Sequence, residues 1–227
     1  MALALGLPGG AGAQVVDTSY SVGASSAWQV RGIPLSRPDK PVAFASADLY
    51  AAAGWSVGGL VGHFETAYGE SATPVNLRAG YEWSFGGRWT LMGQWRYLDY
   101  PGADSLNPWC YHEVAASLAD ADRWVLSWSA ETRHGPGCNE HGTPVINSRS
   151  LELNAQWPLA HGLSLGGGVA RRMFGAGQGY LYGQVGAGWR HGGLRVLLDR
   201  VWVSPQAQYI YGASAHDRWV GSLVWGF

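Results

Sequence analysis

Trp219-Val-Gly-Ser-Leu-Val-Trp-Gly-Phe227 closes the chain, and its side chains sort by parity. Trp219, Gly221, Leu223, Trp225 and Phe227 fall on one side of an extended backbone, with Val220, Ser222, Val224 and Gly226 on the other. Successive Cβ atoms of a strand point to opposite faces, so the bulky aromatics of this run share one face. The same period of two recurs upstream. In 75–85, Val75, Leu77, Ala79, Tyr81, Trp83 and Phe85 oppose Asn76, Arg78, Gly80, Glu82 and Ser84. Gly86-Gly87 turns that run into Trp89, Leu91, Gly93, Trp95 and Tyr97, opposed by Thr90, Met92, Gln94 and Arg96.

Working outward from these runs gives about twelve strands of roughly ten residues, the length of a tilted membrane strand. Their spans are 19–32, 41–53, 55–66, 75–86, 88–100, 109–120, 123–134, 148–158, 162–174, 179–191, 193–204 and 217–227. The second, third and eleventh alternate poorly. Short links such as Gly86-Gly87 and Gly192-Gly193 alternate with longer polar ones, as turns and loops do in a membrane barrel. An even count puts both termini on the short-turn side. The expected fold is all-β: a transmembrane, antiparallel, up-and-down β-barrel over residues 14–227.

Composition agrees. The 227 residues include 13 Trp, 11 Tyr and 34 Gly, and 47% are hydrophobic, yet mean hydropathy is only -0.08. Apolar residues are therefore interleaved with polar ones, and no run approaches the roughly 20 that a spanning helix needs. The net charge of -1 and a single lysine, Lys40, leave no basic footprint for nucleic acid. Residues 1–13 combine an apolar stretch, Pro8-Gly9-Gly10 and Ala11-Gly12-Ala13, which reads as the tail of a secretory signal cleaved after Ala13.

A closed barrel pairs every backbone donor and acceptor between strands, which lipid demands. The faces carrying the bulky apolar residues contain almost no charge, and the opposite faces hold Arg78, Glu82, Arg96, Glu131, Glu152, Arg172 and Arg190. An Arg at the lipid midplane costs about 2–4 kcal/mol, so these seven are expected to line the lumen. About twelve strands leave a narrow interior that side chains line without necessarily filling. Mixed signs leave two readings: a narrow pore for small hydrophilic solutes, or a salt-bridged plug in a structural or adhesive barrel.

The terminal strand, with Trp225 and Phe227, resembles the closing strand of bacterial outer-membrane barrels, which assembly machinery reads. Trp28-Gln-Val-Arg31-Gly32-Ile33, the turn Asp39-Lys40-Pro41 and the following strand with Asp48 resemble the first hairpin of TorF-family porins, a proteobacterial group without an assigned function. Arg31, Gly32, Lys40, Pro41 and Asp48 match motif positions; Pro34 stands where that group more often has Ser. The resemblance covers roughly residues 20–65. It implies an outer-membrane barrel of moderate size and a porin. A monomer without cofactor is expected, with the lipid bilayer and lipopolysaccharide, the barrel-assembly machinery and small hydrophilic solutes as its partners. Arg31 is expected at the outer end of strand one, facing Asp48 or Asp39.

Cys110 and Cys138 fall in neighbouring long loops and read as a disulfide in an oxidising compartment. Free thiols and a metal set with His112, His134 and His141 are the alternatives, and the spacing fits no standard metal motif. A rim hydrolase would need a dyad such as His112 with Glu113, or His134 with Ser148 or Ser150. No G-x-S-x-G or other grouping supports one, so no catalytic residue is assigned.

Overall fold

A computed structural model describes residues 16–121, 123–132 and 147–227. Twelve long strands make the wall. They are β1 (Val16–Ser25), β2 (Val42–Ala51), β3 (Trp55–Glu65), β4 (Val75–Phe85), β5 (Trp89–Asp99) and β6 (Tyr111–Asp120). After them come β7 (Trp124–Thr132), β8 (Ser148–Pro158), β9 (Leu163–Phe174), β10 (Gly179–His191), β11 (Leu194–Val203) and β12 (Arg218–Gly226). Each strand pairs antiparallel with its sequence neighbours, and β12 returns to β1 with Trp225 opposite Val22. The ring is closed, so the expected twelve-stranded barrel is borne out.

Closure extends to the last residue. The Tyr20 N–H donates to the Phe227 carbonyl at 3.1 Å, and the Phe227 N–H donates back to Tyr20 at 3.0 Å. Their rings stack with centroids 6.0 Å apart. Deleting Phe227 removes this backbone pair and the ring that covers it, at the seam where the first and last strands meet. The expected outcome is a lower yield of folded barrel in the heat-modifiable gel shift, with unchanged single-channel conductance in the fraction that folds.

Between its two rims the outward face is apolar all the way round. Trp83, Val185 and Trp225 are 59%, 60% and 52% exposed, and equivalent positions on the other strands behave alike. A continuous exposed apolar belt of this kind has no place in water and is the lipid-facing surface of a membrane barrel. At the short-turn ends the belt is rimmed by Trp55, Trp83, Trp89, Trp124, Trp157, Trp189 and Trp225, the aromatic girdle of an interface.

Two expectations are corrected. The strict alternation of short and long links fails once. Gly175 to Gln178, after β9, is no longer than Leu159 to Gly162, after β8. Strand one does not run 19–32. The wall strand stops at Ser25, opposite Val42, and the chain then leaves the wall. Gln29–Val30 and Ile33–Pro34 form a separate two-stranded hairpin that folds into the barrel.

The hairpin goes inward because its side chains are apolar and the loop-side end of the barrel offers them a core. Val30, Ile33 and Leu35 pack with Phe64, Tyr100 and Tyr180 in one buried cluster at that end. Ile33 and Leu35 are 1% and 5% exposed, so each contributes about 1.5–3 kcal/mol. A short helix, α1 (Pro205–Tyr211), closes the cluster with Ala207 fully buried.

Candidate functional site: a hairpin latched across the lumen

The hairpin tip is Arg31-Gly32, a two-residue loop with φ of 54° and 79°. Positive φ at both central positions is the signature of the tight turn that matches strand twist. At Gly32 a Cβ would sit 2.9 Å from Tyr182 Cβ and 3.0 Å from Val203 Cγ1, so only glycine fits there. The tip is held by the wall. Tyr180 donates its hydroxyl to the Arg31 carbonyl at 3.0 Å, and Arg218 donates Nη2 to the Gly32 carbonyl at 2.8 Å. The base is fixed by Trp28, whose N–H donates to Ser36 Oγ at 2.8 Å and whose ring stacks on Phe64.

A non-glycine residue at positive φ is uncommon, and here the conformation aims a guanidinium at three carboxylates. Arg31 pairs with Glu113 of β6 through Nη2, with Glu131 of β7 through Nε at 3.3 Å, and with Glu152 of β8 through Nη1. Nη1 also donates to the Tyr182 hydroxyl at 3.3 Å, and Nη2 to Ser129 Oγ at 3.1 Å. Two further arginines complete the cluster. Arg172 Nη2 pairs with Glu131, and Arg96 Nη2 lies 3.1 Å from Glu113. Ser148 donates its hydroxyl to Glu131 at 2.5 Å. Three carboxylates thus face three guanidiniums in one connected, charge-balanced set. Its most buried members, Glu113, Glu131 and Arg172, have side chains 0%, 2% and 1% exposed.

On the short-turn side of the hairpin lies an open cavity of about 320 Å³. Gln29, Asn76, Arg96, Glu152, Asn154 and Gln184 give it a polar lining. A second cavity of about 290 Å³ shares Asn154 and Gln184 with it and adds Arg123, Arg195 and Asp199, so the polar space continues toward the short-turn end. The space below the hairpin is thus lined by polar side chains, and the space above it is filled by apolar ones.

The sequence-derived residues disperse over the barrel. Arg31, Arg96, Glu131, Glu152 and Arg172 come together at the latch. Arg78 instead binds Asp48 through both Nε and Nη2, at 2.7 and 2.5 Å. Arg31 therefore does not face Asp48, and Asp39 is also taken, by Arg37. That clasp is exposed in the loop, where the Arg37 hydrogen bond holds the Asp39 carboxyl below its usual range. Lys40 and Pro41 are exposed beside it. Glu82 and Arg190 sit exposed near the short-turn end, with Arg190 opposite Arg195. Trp225 and Phe227 are in the seam. Cys110 is buried, and Cys138, His134 and His141 lie outside the described residues.

Sequence reasoning missed Glu113 as a latch residue, together with Tyr182 and Ser129. The hydrolytic dyad of Glu113 with His112 is not formed. Their side chains leave β6 on opposite faces. His112 packs outside, 4.9 Å from the Tyr97 ring, while Glu113 points into the barrel.

No protein-family model matches the chain, and no curated protein matches its sequence. Solved structures match its fold. The class they define is the closed, antiparallel, twelve-stranded β-barrel. The KdgM porin aligns over 92% of this chain and 99% of its own, at 9% identity and a TM-score of 0.58. A KdgM porin in complex with disordered oligogalacturonate aligns over 94% and 99%, at 10% identity and 0.55. The NanC porin aligns over 92% and 98%, at 8% identity and 0.57. At these identities the likeness is one of architecture.

Proposed function

We propose that this chain is an outer-membrane, porin-like channel for passive diffusion of small hydrophilic solutes. The β1–β2 hairpin sets its narrowest point. The observation that carries this reading is the two adjoining polar cavities, sharing Asn154 and Gln184, that reach from the short-turn end up to Arg31 inside a closed barrel. Narrow pores select by the groups at the constriction. Here those are Arg31, Arg96, Glu152 and Tyr182, so passage favours small solutes without strong preference for either charge. No bond is made or broken; the protein acts by lining a path. Membership of the TorF family, a monomeric state and cleavage after Ala13 belong to the same proposal.

Single-channel recording in planar bilayers tests it. The expected result is small, weakly selective conductance from heat-modifiable protein. A second reading, a plugged structural barrel, is favoured by the apolar cluster above the hairpin. It would be established by silence at every voltage from well-folded protein.

The Cys110–Cys138 disulfide is likewise proposed. Non-reducing gels of protein unfolded in alkylating agent should show a faster band that slows on reduction. Identical mobility, with both thiols alkylated before reduction, would count against it.

A further inference from the structure

Among the described residues, charge on the outward face is otherwise partnered. Asp120 is bound by Arg88, and Glu65 by Arg37. Arg200 faces Asp217 at 3.5 Å and lies over the Trp219 ring at 5.9 Å. Asp99 accepts hydrogen bonds from Tyr97 and Tyr100. Arg149 and Arg171 are the exceptions. Both are exposed, both leave the wall on the face that carries Leu151 and Leu153, and neither has an anionic partner among the described residues.

Their placement is specific. Arg149 lies opposite Met173 and Arg171 opposite Leu151, so the two form a diagonal pair on adjacent strands. Such neighbours stand about 7–8 Å apart, close enough for two long side chains to meet on one anion. Both sit near the loop-side ends of β8 and β9. Elsewhere that level carries Trp95, Trp128, Trp202 and Trp219; on β8 and β9 the outward loop-side positions hold no aromatic residue. A groove of about 710 Å³ opens here, with Val114, Ala130 and Met173 as apolar lining beside the two arginines; Glu131 also borders it, but its side chain is 2% exposed and already paired with Arg31 and Arg172.

We propose that Arg149 and Arg171 form a binding site for the phosphomonoester headgroup of an acylated lipid in the loop-side leaflet. The acyl chain lies over Val114, Ala130 and Met173. A guanidinium pair matches phosphate oxygens with charge-assisted, forked hydrogen bonds, and the cost of outward charge falls off at the interface, where both residues sit. Lipopolysaccharide, whose lipid A portion carries phosphates and acyl chains together, has this chemistry. The proposal rests on the outer-membrane part of the functional reading and is independent of whether the lumen conducts.

Native mass spectrometry of the folded barrel in uncharged detergent tests it, with three probes: diphosphorylated lipid A, the same lipid dephosphorylated, and inorganic phosphate. The wild type should retain the phosphorylated lipid. The variant Arg149→Gln/Arg171→Gln should retain about tenfold less, with an unchanged heat-modifiable shift and unchanged conductance. Inorganic phosphate should not displace the lipid. Equal retention by the double variant, or of the dephosphorylated lipid, overturns the site; displacement by inorganic phosphate overturns the assignment to a lipid. Protein that enters no phospholipid vesicle overturns the membrane reading and the site together, whereas insertion without phosphate dependence overturns the site alone.

Discussion

Arg31→Ala should widen the lumen and turn a weakly selective pore cation-selective. Arg31 neutralises a cluster that also contains Glu113, Glu131, Glu152, Arg96 and Arg172. Without it, three carboxylates face two guanidiniums, and the constriction carries a net negative charge. Breaking a buried ion pair from one side costs about 3–5 kcal/mol. The remaining arginines shield Glu113 and Glu131, which places this loss near the lower end. About 3 kcal/mol shifts the balance between a docked and an undocked tip roughly a hundredfold. The hairpin base is a different matter. Ile33 and Leu35 contribute about 1.5–3 kcal/mol each by burial and do not depend on Arg31. The tip is therefore left with only the Tyr180 and Arg218 hydrogen bonds to its backbone, while the rest of the hairpin stays in the core. Single-channel recording should show higher, noisier conductance and a reversal potential shifted toward cations. Arg31→Lys keeps the charge but cannot fork to three carboxylates, so it should fall between the two. Wild-type conductance and selectivity in a heat-modifiable Arg31→Ala barrel would remove the hairpin from the conduction path.

What the sequence showed and what it concealed divide along one physical line. The wall was legible because lipid on one side and lumen on the other impose a period of two on every strand, as in Val75–Phe85. The hairpin was concealed because Trp28 to Gly32 continues the length of strand one, and nothing local says that the backbone leaves the wall at Ser25. One signal existed: Arg31-Gly32 between Val30 and Ile33 has the form of a two-residue hairpin turn between apolar residues. A second lay in register. The turn between β6 and β7 sets Glu113 opposite Glu131, and Gly86-Gly87 sets Arg78 opposite Arg96. Like charges directly opposite are destabilising unless a counter-charge arrives from elsewhere. Arg31 and Arg172 answer the first pair, and Asp48 and Glu113 the second. Identifying those partners takes the barrel's closure, because β2, the hairpin and β9 are far from these strands in sequence.

Glu131→Ala should be the most destabilising single change in the wall. Glu131 is shared by Arg31 and Arg172, and it accepts the Ser148 hydroxyl as well. Arg31 keeps Glu113 and Glu152 when it is lost. Arg172 keeps no carboxylate among the described residues; its charge is left against Ser148 and the Phe174 ring, 5.4 Å away, with its side chain 1% exposed. An uncompensated buried charge of this kind costs about 3–5 kcal/mol. Replacing both partners removes the charge along with its counter-charge, so Glu131→Leu/Arg172→Leu should cost much less than the two single losses added together. The measurement is the temperature at which the folded band disappears from heat-modifiable gels, alongside urea unfolding in lipid vesicles. Glu131→Gln separates charge from hydrogen bonding: it retains an acceptor for Ser148 but not the pairing with Arg172, so it should recover only a small part of the loss. If Glu131→Ala cost under about 1 kcal/mol, the pair would rank with exposed ion pairs and water would have to reach Arg172. If the double change cost the full sum, the two side chains would be stabilising the wall separately, through packing and not through each other.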